Sequence, residues 1–193
     1  MVTLNRIYTR TGDAGETSLG NGERRAKFDL RVQSFGTIDE ANSAIGMARL
    51  HTREANPALD EMLARIQNDL FDLGADLCTP EKADAPVAHA LRIIASQVER
   101  LEREIDQINA HLQPLKSFVL PGGTPASAAL HLARTIVRRA ERLMVELDLE
   151  PGESVGKPAL HYVNRLSDFL FVASRCANNN GGDDVLWKPG LTR

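Results

Sequence analysis

Apolar residues at helical spacing run through this chain from residue 28 to residue 179 and constrain its fold more than any other feature. The clearest stretch, AHALRIIASQVERLEREIDQINAHL, covers residues 88–112. Its apolar positions follow one another in steps of three and four: Leu91, Ile94, Val98, Leu101, Ile105, Ile108 and Leu112. Four further helices are predicted over about residues 30–52, 57–77, 124–149 and 154–179. Since no alternating strand pairs appear, the pattern predicts an all-α protein.

The segments between these helices carry strong stop signals. CTPEKADAPV holds two prolines, LQPLKSFVLPGG ends in Pro-Gly-Gly, and LDLEPGES contains Pro-Gly. Because connections this short favour antiparallel neighbours, we expect one five-helix up-down bundle of ferritin-like topology. We divide it into an irregular glycine-rich N-terminal loop (1–28), the helical bundle (29–180) and a C-terminal tail (181–193).

The net charge and the cysteine content restrict the binding partners and the cellular compartment that we expect for this chain. The formal net charge of -3 gives no overall positive field for nucleic acid or an anionic membrane. The N-terminus MVTLNRIYTRTGD has no signal-peptide run, and no later stretch reaches the ~18 apolar residues of a membrane span. Cys78 and Cys176 lie far apart, which favours reduced thiols over a disulfide framework. We expect a cytoplasmic protein that binds neither nucleic acid nor membrane.

The opening stretch YTRTGDAGETSLGNGERRAK, residues 8–27, is rich in glycines, hydroxyls and cations. Backbone N–H groups at glycines, side-chain hydroxyls and Lys or Arg are the groups that bind phosphate. Gly15 and Gly20 have the spacing of a P-loop, but Asn21-Gly22 stands where Lys-Ser/Thr should follow, and no buried strand precedes it. A phosphate-binding loop and a flexible polar N-terminus therefore both stay open.

A second cluster, LARTIVRRAERL, gathers arginines on one side of the fourth helix. At about 100° per residue, four arginines surround Glu141, opposite an apolar arc: Arg134, Arg138, Arg139 and Arg142. Solvated faces normally mix charge signs, so these arginines favour a bound anion or partner carboxylates over plain solvation.

Two weaker signals lie further along the chain. Asn164, Asp168 and Arg175 form a thin polar stripe on the apolar last helix, either a binding surface or an internal structural network. Phe118, in the loop KSFVLPGGT, is by itself most simply a core residue. There is no E-x-x-H pair of a di-iron bundle, no zinc spacing among the histidines and no serine or cysteine nucleophile signature.

Taken together, five stretches resemble, in order, the landmarks of PduO-type ATP:cob(I)alamin adenosyltransferases. They are YTRTGDAGETSLGNGERRAK, GTIDEANSAIG, FVLPGGT, RTIVRRAER and NRLSDFLFVASR, and the resemblance as a whole covers about residues 7–179. The resemblance implies a five-helix bundle that assembles as a homotrimer with active sites between subunits. It also implies transfer of the 5′-deoxyadenosyl group of ATP to the cobalt of cob(I)alamin, which yields adenosylcobalamin and triphosphate, with Mg²⁺ accompanying the ATP.

The resemblance further assigns residues to the two substrates. ATP would be bound by Thr9, Arg10, Thr11, Gly12, Asp13, Gly15, Thr17, Ser18 and Lys27, and from a neighbouring chain by Arg138, Arg139, Glu141 and Arg142, with Asn164 nearby. At the cobalamin site, Asp39 would pair with Arg134 across the subunit interface, and Phe118 would lie beneath the corrin ring. Lys27, Arg138 and Phe118 would carry the catalytic roles. Mg²⁺ would be held through the ATP phosphates, with no certain protein ligand.

This chemistry accounts for the missing nucleophile signatures, because the reduced cobalt is itself the nucleophile and no proton is abstracted. The product would pass to a cobalamin-dependent mutase or a diol dehydratase by analogy with the family. Two other readings stay open: a regulatory bundle that senses ATP without chemistry, and a structural helical trimer whose arginines form interface salt bridges.

Overall fold

A computed structural model describes residues 7–81 and 90–193 of the chain. Within that part, five helices follow a short antiparallel hairpin. The hairpin strands are β1 (Glu16–Ser18) and β2 (Arg24–Ala26), and the helices are α1 (Leu30–Ala55), α2 (Pro57–Leu77), α3 (Ala95–Asn109), α4 (Pro125–Leu149) and α5 (Lys157–Cys176). The predicted all-α fold with five helices is confirmed.

Local capping sets where the helices begin. The Asp29 carboxylate accepts a hydrogen bond from Arg31 N at 2.9 Å at the start of α1. Asn56 is the single residue between α1 and α2, and its side chain accepts from Leu59 N at 3.1 Å. Thr124 caps α4 in the same way, and a proline follows both Asn56 and Thr124, where its fixed φ suits the first helical turn.

Pairs of contacts show that α1 and α2 run in opposite directions. Between α1 and α2, Arg49 pairs with Asp60, while further from the turn Asn42 Nδ2 donates to Gln67 O at 3.1 Å. The most extensive packing joins α1 to α4 and α4 to α5, followed by α1 with α2 and α3 with α5. The predicted antiparallel arrangement of short-connected helices is therefore observed for α1 and α2.

One continuous apolar core lies between the helices, with residues such as Leu63, Leu101 and Val137 fully buried. A charged network enters this core at Asp69, which forms an ion pair with Arg100 and accepts from Tyr162 Oη at 2.9 Å. Burial raises the pKa of Tyr162 above its ordinary value, so its hydroxyl stays a hydrogen-bond donor.

The third helix is shorter than its apolar spacing predicts. We predicted it over residues 88–112, but α3 begins at Ala95, and residues 88 and 89 lie outside the described part. Leu91 and Ile94 precede the helix and Leu112 follows its last residue, Asn109, so the helical assignment of these three residues is wrong. The Asp76 carboxylate accepts from Ile93 N at 2.9 Å and from Arg92 at 2.8 Å, which holds this stretch in an extended path.

The N-terminal segment is also more regular than predicted. We predicted an irregular loop without strand pairs, but β1 and β2 pair with Glu16 opposite Ala26 and Ser18 opposite Arg24. The turn between them is closed by Gly22 N, which donates to Leu19 O at 2.9 Å. Each strand has only three residues, which is too short for an alternating apolar and polar pattern to be recognised in the sequence.

Three further observations concern the described residues alone. No helix among them is long and apolar enough to cross a membrane. Cys78 and Cys176 are both free thiols. Within residues 7–81 and 90–193, no group of three or more His, Cys, Asp or Glu side chains is arranged to hold a metal ion.

Candidate functional site

The N-terminal hairpin, together with the loop before β1 and Lys27 after β2, carries the side chains of this segment that are predicted to bind ATP. Arg24 fixes the loop before β1, since its guanidinium donates to Thr11 O at 2.9 Å and to Ser18 Oγ at 3.0 Å. Lys27 lies on the other side of this loop, where a Cβ at Gly12 would come within 3.3 Å of Lys27 Nζ. The predicted residues of this segment are largely exposed: Thr9, Arg10, Thr11, Gly12, Asp13, Gly15, Thr17, Ser18 and Lys27. Hydroxyls, glycine backbone and an ammonium group therefore share one exposed surface.

Contacts to the end of α2 and to the turn between α4 and α5 hold the hairpin on the bundle. Gly20 N donates to Cys78 O at the end of α2 at 2.7 Å. In the turn between α4 and α5, Glu153 accepts from Arg25 at 2.9 Å and from Arg31 at 2.6 Å. Arg31 is only 1% exposed, so its charge is matched inside the protein by Glu153. Sequence reasoning missed Glu153, which carries no motif of its own.

The arginines of α4 divide into two environments. Arg138, Arg139 and Arg142 are exposed, whereas Arg134 is half-buried. Arg139 forms an ion pair with Glu40 of α1, so within one chain its charge is already matched. Arg138 and Arg142 form no ion pair with the described residues, and Arg142 Nη1 donates to Arg138 O at 3.2 Å. The like-charged surface that the sequence predicts is therefore present on α4.

The polar stripe predicted on α5 does not form one network. Asn164 Nδ2 donates to Glu141 Oε1 at 2.7 Å, which joins α5 to the arginine-rich part of α4 as predicted. Asp168 instead pairs with Arg165 on its own helix at 3.0 Å. Arg175 is buried and pairs with Asp184 of the tail at 2.8 Å. The three side chains thus make separate intramolecular contacts, which agree with the structural interpretation of the stripe, while a binding role for Asn164 stays a prediction.

An open cavity of about 600 Å³ lies beside the loop before α4. Its walls are mostly apolar and are formed by Leu115, Lys116, Ser117, Phe118, Val119, Arg134, Phe171 and Trp187. Phe118 is 78% exposed, so the core-packing reading of this residue is wrong. The structure thus brings Phe118 and Arg134, two of the residues predicted for cobalamin, to one cavity.

The C-terminal tail forms one side of this cavity. Trp187 N donates to Phe118 O at 2.7 Å, and Leu120 N donates to Val185 O at 2.8 Å. The rings of Phe118 and Trp187 lie 6.1 Å apart between centroids. Sequence reasoning left the order of this tail open and missed Trp187, although a lone tryptophan in the apolar run VLW was an available signal.

The predicted pair of Asp39 and Arg134 does not form within one chain. Asp39 is exposed on α1, and its side chain has no ion pair to the described residues. Arg134 Nε is buried and lacks a hydrogen-bond partner in the described part of the chain. Burial, with a contribution from Arg138, lowers the pKa of Arg134 from its usual value. The pairing of these two residues across an interface stays a prediction.

A helical bundle that carries a cation-rich hairpin and a separate apolar cavity has the features of a protein that binds a nucleotide and a large apolar ring. The family model for cobalamin adenosyltransferases matches residues 7–177 of this chain. The chain belongs to this family, as its motifs predicted.

Curated relatives cover the chain at substantial identity. The corrinoid adenosyltransferase of Mycobacterium tuberculosis (strain ATCC 25618 / H37Rv) is 52% identical over 193 residues, which are 100% of this chain and 97% of the relative. The corrinoid adenosyltransferase PduO of Salmonella typhimurium is 40% identical over 174 residues, 90% of this chain and 50% of the relative.

Solved structures give the same result for the fold. A phenylalanine-to-histidine variant of a PduO-type ATP:corrinoid adenosyltransferase from Lactobacillus reuteri, complexed with cobalamin and ATP, matches with a TM-score of 0.87. It is 36% identical, and the match covers 95% of this chain and 97% of that one. An arginine-to-lysine variant from the same organism, complexed with ATP, matches with a TM-score of 0.81 at 39% identity over 94% of this chain and 100% of that one.

Proposed function

We propose that this chain is a corrinoid adenosyltransferase that transfers the 5′-deoxyadenosyl group of ATP to the cobalt of cob(I)alamin. The observation that carries the proposal is the exposed Phe118 at an apolar cavity of about 600 Å³. It occurs in a fold whose solved neighbours are complexed with cobalamin and ATP. A protein that only sensed ATP would have no use for such a cavity.

The reaction needs few reacting groups from the protein. The electron pair of cob(I)alamin forms a cobalt–carbon bond to C5′ of ATP while the C5′–oxygen bond breaks. Triphosphate leaves with the electrons of that bond, so no proton is moved. The chain must therefore place C5′ in line with the cobalt and stabilise the departing triphosphate.

The N-terminal hairpin is the proposed triphosphate site. The backbone around Gly12 and Gly15, the hydroxyls of Thr11 and Ser18, and the ammonium group of Lys27 lie on one exposed surface. Preorganised donors and cations stabilise negative charge that develops on a leaving group. This supports a catalytic role for Lys27, with the other predicted hairpin residues binding the nucleotide.

The arginine-rich surface of α4 is the proposed second wall of the nucleotide site, supplied by a neighbouring copy. Arg138 and Arg142 are exposed there, and Glu141 is held by Asn164 at 2.7 Å. Arg139 would exchange its ion pair with Glu40 for contacts to phosphate. A triphosphate is the kind of anion that relieves repulsion among like-charged arginines.

Mg²⁺ is proposed to enter with the nucleotide rather than to reside on the protein. Mg²⁺ is usually bound through one or two carboxylates together with substrate phosphates. Bound in this way, Mg²⁺ would neutralise charge on the departing triphosphate.

The cavity at Phe118 is the proposed cobalamin site. An exposed phenylalanine ring cannot ligate cobalt and excludes water from the surface it covers. Removing the lower axial ligand lowers the energy of the orbital that accepts the electron, so a ring in this position would make Co(II) easier to reduce. We propose this role for Phe118, with Arg134 at the cavity edge.

Assembly as a homotrimer is proposed from the charges that one chain leaves unmatched. Arg134 Nε is buried without a partner among the described residues, and Asp39 is an exposed carboxylate. A pair between two copies would satisfy both groups. We expect Asp39→Ala and Arg134→Ala each to weaken the trimer or cobalamin binding, measured by light scattering and turnover. Unchanged mass and unchanged turnover in both variants would refute the pair.

Three further assignments accompany this proposal. We divide the chain into a nucleotide-binding segment (1–28, of which 1–6 lie outside the described residues), a bundle (29–180) and a tail (181–193). We propose a cytoplasmic setting, which two free thiols support. A mutase or dehydratase that depends on adenosylcobalamin would consume the product.

One assay tests the function against both alternatives. The protein is mixed with Mg-ATP and chemically reduced cobalamin, and the absorbance change and triphosphate release are followed together. The proposal expects adenosylcobalamin and triphosphate in equal amounts. ATP binding without product would identify a sensor, and neither binding nor product would identify a structural protein.

A further inference from the structure

Asp184 connects the C-terminal tail to the bundle through its carboxylate. Its side chain is only 4% exposed. Oδ2 accepts from Arg175 Nε at 2.8 Å, and Oδ1 accepts from Asn178 Nδ2 at 3.0 Å. Arg175 is itself 6% exposed in its side chain, so the two charges are matched out of water.

Arg175 and Asn178, the two partners of Asp184, also hold the two ends of the loop that carries Phe118. At the start of the loop, Arg175 Nη2 donates to Gln113 O at 2.8 Å. At its end, Thr124 N donates to Asn178 Oδ1 at 3.2 Å. In the middle, the tail pairs with the loop through Trp187 N to Phe118 O. Asp184 therefore connects the tail with both ends of the loop.

Two glycines show how closely the backbone approaches this junction. Gly123 has φ +94°, and a Cβ there would lie 2.3 Å from Asn178 Oδ1. Gly181 has φ +81°, and a Cβ there would lie 2.9 Å from Arg175 Nη2. Any L side chain at either position would be strained in this backbone conformation and would displace a member of the junction.

We propose that Asp184, together with Arg175 and Asn178, is a positioning junction that sets the placement of Phe118 and Trp187 at the cavity. None of the three lines the cavity, so they act through the loop and the tail rather than by touching a substrate. The inference rests on the proposed function for its effect on cobalamin, but its structural part stands independently of any activity. Disrupting the junction should weaken the binding of cobalamin and leave the binding of ATP unchanged.

The structural part is tested first, with the fluorescence of Trp187, the one tryptophan of the sequence. Asp184→Asn keeps the size of the side chain and removes the charge that Arg175 faces. Asp183→Asn is the matched control, since Asp183 is the exposed neighbour in the same tail. We expect a red-shifted emission and stronger acrylamide quenching in Asp184→Asn alone, with helical circular dichroism unchanged. Emission identical to that of the wild type would overturn the junction.

The functional part compares the two substrates. For Asp184→Asn we expect KM for cobalamin to rise about tenfold, equivalent to ~1.4 kcal/mol of binding, with KM for ATP unchanged. The spectrum of four-coordinate Co(II) in the presence of ATP should weaken, and Asp183→Asn should behave as the wild type. Equal changes in both KM values would mean a general loss of structure and would also overturn the inference.

A second variant covers the case in which Asp184→Asn does not fold. Gly123→Ala displaces Asn178 but leaves the ion pair of Arg175 and Asp184 in place, and it should show the same selective rise in KM for cobalamin. If this variant kept the wild-type KM for cobalamin, the junction would be refuted. If the wild type itself gave no product, the proposed function would fail, while the Trp187 emission would still decide whether the junction exists.

Discussion

The two irregular ends of the chain are fastened to the bundle in similar ways but expose opposite chemistry. The N-terminal hairpin is held through Arg25, which pairs with Glu153, and Glu153 also pairs with the buried Arg31 of α1. At the C-terminal tail, Asp184 pairs with the buried Arg175. In each case a carboxylate from outside the helices matches an arginine that a helix has buried. The carboxylate that holds each end is therefore part of an ion pair that is costly to break.

The two terminal segments expose surfaces of different chemical character. The hairpin exposes cations, hydroxyls and glycine backbone, including Lys27 and Arg10. The tail exposes a short apolar run, with Val185 61% and Trp187 45% exposed. A polar, cationic surface suits a triphosphate and an apolar one suits a corrin ring. We therefore propose that the bundle binds two unlike substrates by using one terminal segment for each.

Removing the cation of the hairpin should give the largest effect. We expect Lys27→Ala to reduce kcat/KM for ATP by about 10²–10³ because a group that stabilises the leaving triphosphate is lost. Steady-state kinetics at saturating cobalamin measure this. Lys157→Ala is the control, an exposed lysine at the start of α5. Kinetics of Lys27→Ala that match those of the control would remove Lys27 from the triphosphate site.

Removing the ring at the cavity should affect the other substrate. We expect Phe118→Ala to abolish the four-coordinate Co(II) signal of the ATP-bound protein and to lower kcat by about a hundredfold, as for a misplaced reactant. Magnetic circular dichroism of the Co(II) state measures the first effect. Leu149→Ala, 79% exposed at the end of α4, is the control. A signal retained in full would contradict the proposed role of Phe118.

Weakening the ion pairs of Glu153, which hold the hairpin on the bundle, should give a smaller effect that is selective for ATP. Glu153→Gln leaves Arg31 buried without its counter-charge, and we expect a loss of about 3–5 kcal/mol in the free energy of unfolding. Because the hairpin is then held less firmly, KM for ATP should rise while KM for cobalamin does not. Urea titration and kinetics check both statements. Glu150→Gln, an exposed glutamate in the same turn, should change neither.

The smallest expected effect concerns His131, which contacts Phe171 at the cavity wall. Burial lowers the pKa of His131, Arg134 lowers it further, and Asp184 opposes the decrease. The folded-state pKa is then below the unfolded value, so the unfolded chain binds more protons and stability falls as the pH drops through about 6.5 and below.

We expect His131→Leu to reduce this loss of stability between about pH 7 and pH 5. Urea midpoints of both proteins at the two pH values measure it. An equal change in the two proteins would show that His131 does not contribute to the pH dependence.

The sequence predicted the family and the five helices because both depend on local patterns. Helical spacing is read over a few turns, and the motifs are contiguous. It missed Glu153 and Trp187 because their partners are distant in sequence, and it missed Asp184 because its partners, Arg175 and Asn178, precede it across an irregular turn in which no spacing rule applies. Arg31 and Glu153 are 122 residues apart, and Ser117 and Trp187 are 70 apart. No periodicity reports such pairs.

Two predictions failed for a related reason. The start of α3 was placed too early because the apolar spacing continues through Leu91 and Ile94, while the Asp76 carboxylate fixes that stretch outside the helix. The core assignment of Phe118 followed the usual preference of phenylalanine for burial, but the loop that carries it is paired with the tail through Trp187 N and Phe118 O, and the ring is left 78% exposed. In both cases a contact from another part of the chain prevailed over the local pattern.

We propose that each terminal segment binds one of the two substrates. It is tested most directly by measuring KM for ATP and for cobalamin in Glu153→Gln and Asp184→Asn under identical conditions. The account predicts a crossed result: Glu153→Gln raises only the value for ATP, and Asp184→Asn raises only the value for cobalamin. If each variant raised both values in the same proportion, the two ends would not be specialised and the account would be contradicted.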